Sequence, residues 1–101
     1  MKKILIVCSG GMSSAIVEKA LKTEADKKGV ELEASAVGSP QAQDAIENND
    51  WDMILVAPQV RNRFDTFKGY ADKKGITIEN IPPRDYSPLG GPHLLKLIEE
   101  S

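Results

Sequence analysis

The sequence predicts an α/β fold: a single doubly wound, four-stranded parallel sheet in the order 2-1-3-4, with helices on both faces. Three observations carry that expectation. Apolar runs alternate with helical periodicities along the chain, two of those runs (positions 4–7 and 53–57) are apolar without a break, and two of the helical stretches close on the same Lys-Lys-Gly. An unbroken apolar run fits a strand buried on both faces, and strands alternating with helices call for parallel pairs joined by right-handed crossovers.

Each element has its own signal. Lys3 to Val7 reads as a central strand through Ile4, Leu5, Ile6 and Val7. Ile16, Val17, Ala20 and Leu21 then recur at helical spacing up to Lys27-Lys28-Gly29, with cations in the last turn and a glycine stop. Val30, Leu32, Ala34 and Ala36 alternate with Glu31, Glu33 and Ser35, which predicts an edge strand with one wet face. Ser39-Pro40 offers an N-cap followed by proline at the first helical position, and Ala42, Ala45 and Ile46 give this short helix its apolar side before Asn48-Asn49-Asp50 ends it.

Met53 to Ala57 is the second central strand, stopped by Pro58, which has no N–H to donate to a ladder. Phe64, Phe67 and Ala71 share a helical face that runs to Lys73-Lys74-Gly75, and Ile76 and Ile78 mark a fourth strand. The loop "PPRDYSPLGGP" precedes a last helix with the stripe Leu94, Leu95 and Ile98. The two unbroken strands, first and third, belong side by side in the middle. In such sheets ligands bind beyond the carboxyl ends of the strands, where the winding reverses. Here that point lies where Cys8 and Pro58 end those two strands.

Composition bounds the function. The 101 residues suit one domain over positions 1–101, and 41% hydrophobic with 28% charged residues is a soluble globular balance. A formal net charge of -2 gives no electrostatic reason to bind nucleic acid or anionic lipid. The longest apolar run, Ile4 to Cys8, is far short of the roughly 20 residues that span a bilayer, and it makes no adequate signal peptide, so a cytoplasmic chain without direct membrane insertion is expected. One cysteine forms no internal disulfide, and Cys8 with His93 does not close a zinc site alone, so neither a metal nor a cofactor is expected.

The loop after Cys8, from Ser9 through Gly10, Gly11, Met12 and Ser13 to Ser14, is small and polar, with two glycines that leave the backbone open to a ligand. If its amides converge with the helix N-terminus, they form an anion cradle around the sulfur, a field that favours thiolate over thiol. No carboxylate occurs between Met1 and Ala15 to oppose a phosphoryl group. A cysteine closing an apolar strand can also be just a small buried hydrophobe, and glycines there can serve only the turn. Strand, cysteine, small polar loop and helix in succession describe a phosphocysteine loop better than a core position.

On "ILIVCSGGMSSAIV" and on "DMILVAPQVRNRF", the chain resembles the IIB component of the lactose/cellobiose/chitobiose class of the bacterial phosphoenolpyruvate-dependent sugar phosphotransferase system. The likeness covers the whole chain in length and order of elements. It implies that Cys8 accepts a phosphoryl group from a phosphohistidine on a IIA donor protein and passes it to a sugar bound by a membrane-embedded IIC permease. It also implies peripheral association with that permease, a phosphoryl loop at Ser9 to Ser14, and a rim that includes Pro58 and Gln59. The stretch Pro82 to Pro92 is more proline-rich than usual for the family, so the resemblance says less about the partner surface and the sugar class than about the cysteine chemistry.

A second reading is a hydrolase similar to low-molecular-weight tyrosine phosphatases, whose loop is a cysteine, five residues and an arginine that clamps the phosphoryl oxygens. The corresponding position here is Ser14, which supplies no such charge. Asp85 nevertheless belongs to the expected rim, where such an enzyme places its general acid, and Arg61, Arg63 and Arg84 fall at the same end of the sheet. Alternatively Asp85 is a turn residue and the arginines are solvated or dock an acidic partner. His93 reads as a surface or cap residue, and Trp51 and Tyr70 as core or partial-core aromatics.

Overall fold

The structure, a computed structural model, describes residues 2–9, 13–86 and 89–100, and of Ser13 and Ser14 the backbone only. The elements run β1 (Lys2–Cys8), α1 (Ser13–Lys27), β2 (Leu32–Gly38), α2 (Ser39–Asn48), β3 (Met53–Val56), α3 (Phe64–Lys74), β4 (Thr77–Asn80) and α4 (Gly91–Glu100). Short 3-10 helices at Pro58–Arg63 and Pro83–Asp85 follow β3 and β4. The four strands form one parallel sheet in the order β2-β1-β3-β4, as the sequence predicts.

The unbroken apolar runs are central because both their faces are covered. Leu5, Val7, Ile54 and Val56 pack with Ala42 and Ile46 of α2 and with Phe67 and Ala71 of α3. Ile4, Ile6, Met53 and Leu55 point the other way, onto Val17, Leu21 and Ala25 of α1 and Leu94, Leu95 and Ile98 of α4. Burying one such aliphatic side chain is worth about 1.5–3 kcal/mol, so a polar residue in either run would be costly. Two helices therefore lie on each face, and the winding reverses between β1 and β3.

Both Lys-Lys-Gly stops act through their glycine: Gly29 and Gly75 take φ 68°, in the left-handed region that penalises a Cβ. Two local expectations are corrected. Ser39 is the first residue of α2 rather than its N-cap; Gly38 holds that position, with no side-chain cap. The strand ladder persists to Gly38, which pairs with Cys8, and Pro40 starts the helix at once, so no separate capping residue intervenes. The outer face of β2 is less wet than its alternation suggests, because Val37 packs on the α2–α3 core. Helix α2 follows β2 without a loop and folds back over it.

Trp51 and Tyr70 are half-buried against that same core, in keeping with the partial-core reading. The Trp51 Nε1–H donates to the Ala45 carbonyl at 2.9 Å, and the Lys3 ammonium lies 5.3 Å from the ring centroid. Among the described residues no helix is long and apolar enough to cross a membrane.

Candidate functional site

Cys8 is the last residue of β1, at the carboxyl edge of the sheet, between Gly38 of β2 and the residues that follow β3. The ladder puts Val7 beside Val56, and the Ala57 N–H donates to the Val7 carbonyl at 2.8 Å, which brings Pro58 next to the cysteine. The thiol is buried at 2% exposure, packs with Ala57 and Val60, and donates from Sγ to the Val37 carbonyl at 3.4 Å. This is the crevice at which the winding reverses. Ser9 is exposed beside it, and Ser13 and Ser14 open α1; Gly10, Gly11 and Met12, in the expected phosphoryl loop, lie outside the described residues.

The 3-10 helix after β3 supplies the neighbouring wall. Pro58, Gln59 and Arg61 line an open cleft of about 450 Å³ together with Pro83 and Tyr86, contributed by the segment after β4. Tyr86 packs against both core clusters, so its position reports on both faces of the sheet. The three arginines noted in the sequence go to three places. The Arg63 guanidinium stacks over the Phe67 ring at 5.4 Å, Arg84 lines a different pocket, and Arg61 lines the cleft.

Asp85 does not share that cleft. It is buried, with a side chain 10% exposed, and its Oδ1 lies 2.7 Å from Nδ1 of His93 on α4, whose own side chain is 69% exposed. A carboxylate oxygen accepts, so the imidazole donates from Nδ1. The pocket around this pair, about 280 Å³, is lined by Pro82, Arg84, Lys96, Leu97 and Glu100. His93 is thus the surface residue that the sequence suggests, with a buried partner that the sequence does not reveal. Two residues eight positions apart, across a Pro/Gly-rich stretch of sequence, carry no periodic signal of contact. Among the described residues no cluster of three or more His, Cys, Asp or Glu side chains could hold a metal ion.

A sequence model of the family described as "PTS system, Lactose/Cellobiose specific IIB subunit" matches residues 3–96. This chain belongs to that family. The oligo-beta-mannoside-specific EIIB component of Bacillus subtilis is 33% identical over 91 residues, which cover 90% of this chain and 86% of the relative. The lactose-specific EIICB component of Lacticaseibacillus casei is 31% identical over 85% of this chain, and the match spans only 15% of that longer protein. Among solved structures, the lactose-specific IIB domain of Streptococcus pneumoniae superposes with a TM-score of 0.82 at 27% identity, over 98% of this chain and 95% of that one. The cellobiose-specific IIB protein of Borrelia burgdorferi gives 0.75 at 27% identity, covering 98% and 89%. The IIB fold thus accounts for the order of the strands.

Proposed function

We propose that this IIB domain is a phosphocarrier in sugar uptake, and that Cys8 is the residue that carries the phosphoryl group. The observation that supports it most is positional: the thiol ends one of the two central strands of a phosphotransferase IIB fold, at the crevice where the sheet changes its winding. The role is a sugar phosphotransferase step between two proteins. A IIA donor offers a phosphohistidine; the sulfur attacks phosphorus, the P–N bond breaks as the S–P bond forms, and the thiol proton goes to the departing imidazole. A sugar hydroxyl held by a IIC permease then attacks the same phosphorus, the S–P bond breaks, and the hydroxyl proton returns the sulfur to its thiol form.

Splitting the transfer into two displacements keeps the phosphoryl group on protein until the sugar arrives, provided that each reactant is held in line with the sulfur. The cradle for its three oxygens is assigned to the backbone of residues 9–14, with Pro58 and Gln59 as part of the rim. The IIC partner is supported by relatives whose EIICB names join the two components. No cofactor takes part in either step, and all of residues 1–101 serve as one carrier domain.

The test is direct. Incubation with phosphoenolpyruvate, the general phosphotransferase proteins and a cognate IIA should add one phosphoryl mass to the peptide containing Cys8, and Cys8→Ser should abolish both that label and sugar phosphorylation. A label on His93 in place of Cys8, or rapid cleavage of a generic phosphate ester without a permease, would overturn the carrier reading in favour of a hydrolase.

A further inference from the structure

The Asp85–His93 pair stands apart from the thiol, yet it is built into the segment that walls the cleft. Asp85 ends the 3-10 helix Pro83–Asp85, and its N–H donates to the Pro82 carbonyl at 2.9 Å. The next residue is Tyr86, which lines the cleft with Pro83, Pro58, Gln59 and Arg61. On the other side Asp85 meets the start of α4: a Cβ on Gly90 would collide with the Asp85 carbonyl oxygen, and the Leu94 N–H donates to the Gly90 carbonyl at 3.0 Å. Asp85 is also the one buried charged side chain among the described residues.

We propose that His93 is a positioning residue for phosphoryl transfer: through Asp85 it fixes the segment after β4, so that Pro83 and Tyr86 form a rigid wall of the docking cleft beside Cys8. This rests on the carrier reading above. The physical basis is the asymmetry of a buried acceptor. With His93 in place, the Asp85 carboxylate is satisfied while almost excluded from water; with the donor removed it is left buried without that partner and turns outward to be hydrated. The turn that carries Asp85 carries Pro83 as well, and Tyr86 follows it, so the cleft wall moves with the carboxylate. His93 itself touches no reacting atom.

The decisive comparison is His93→Ala against His93→Asn, because an asparagine amide can donate to Asp85 from nearly the position of Nδ1. His93 is exposed and belongs to neither core cluster, so both variants keep the fold. In proton–nitrogen spectra of the isolated protein, His93→Ala should displace the amides of Gln59, Arg61 and Tyr86, and His93→Asn should restore them. With a phosphorylated IIA donor, His93→Ala should raise KM roughly tenfold with a smaller change in kcat, as expected when binding common to ground and transition states is lost, and His93→Asn should recover most of it. Unmoved amides at Gln59 and Tyr86 in His93→Ala overturn the proposal, as does a His93→Asn protein that behaves like the alanine variant. The spectra decide this without any transfer, whereas absence of phosphate on Cys8 in the wild type refutes the carrier reading alone.

Discussion

Replacing Gly91 by alanine tests whether the close approach of α4 to α1 holds the scaffold behind the site. A Cβ at position 91 would lie 2.6 Å from the Ala20 carbonyl oxygen and 3.2 Å from its carbon, both backbone atoms of α1 that no rotamer change can move. Restoring an ordinary carbon–oxygen contact of roughly 3.3 Å requires the two helices to separate locally by about 0.7 Å. Overpacking of this kind costs about 1–3 kcal/mol. For a chain of this size each kcal/mol lowers Tm by about 4–8 °C, so a drop of roughly 5–20 °C is expected. Gly69→Ala is the matched control. It lies on the exposed side of α3 with nothing within 4 Å of the added carbon, so replacing glycine inside a helix should stabilise by about 0.5–1 kcal/mol. Urea and thermal unfolding followed by far-ultraviolet circular dichroism measures both. A Gly91→Ala protein as stable as the wild type, alongside the expected gain for Gly69→Ala, would refute the claim that α1 and α4 are in backbone contact there.

Trp51→Phe keeps the aromatic packing but removes the donor to the Ala45 carbonyl, and should cost about 0.5–1.5 kcal/mol in the urea midpoint with an unchanged slope. No loss at all would mean that water replaces the indole N–H without penalty. Amide shift mapping with a IIA donor should perturb Gln59, Val60, Arg61 and Tyr86, around the carboxyl edge of the sheet, since on the carrier proposal donor and acceptor each reach one sulfur in line. Shifts concentrated near Gly29 and Gly75, at the opposite edge, would show that partners dock elsewhere.

The order of the sheet was legible because a period-free apolar run has one common explanation, burial on both faces, and positions 4–7 and 53–56 both meet it. The helix stops were legible because glycine after paired lysines satisfies backbone and dipole together. Local rules lost where two elements compete for one residue: Gly38 is the last rung of β2 and the cap of α2, and no propensity of Ser39 or Pro40 reveals that sharing. At the site, Cys8 could be placed from topology alone, since a strand end at a winding reversal is defined by connectivity. The destination of a carboxylate such as Asp85 could not. Its partner lies on another element, and only the packing of α4 against the 3-10 helix after β4 brings His93 to 2.7 Å.

If Cys8 carries phosphate as proposed, the distribution of cations bears on why the thiol would store it rather than release it. A cysteine-dependent hydrolase needs a guanidinium fixed over the loop, where it stabilises the charge of the transition state for attack by any incoming oxygen, water included. In this chain the corresponding loop position is Ser14. Arg63 is engaged with the Phe67 ring and Arg84 faces the Asp85–His93 pocket, which leaves Arg61 as the arginine of the three that lines the cleft beside the strand ends. Arg61 is exposed and sits on a 3-10 helix outside the loop itself, a position suited to meeting charge on a docked protein. Stabilisation that arrives only with a partner lowers the barrier for transfer between proteins and leaves the barrier for water where it was. On the proposed reading, the missing loop arginine is what lets one sulfur serve two partners in turn.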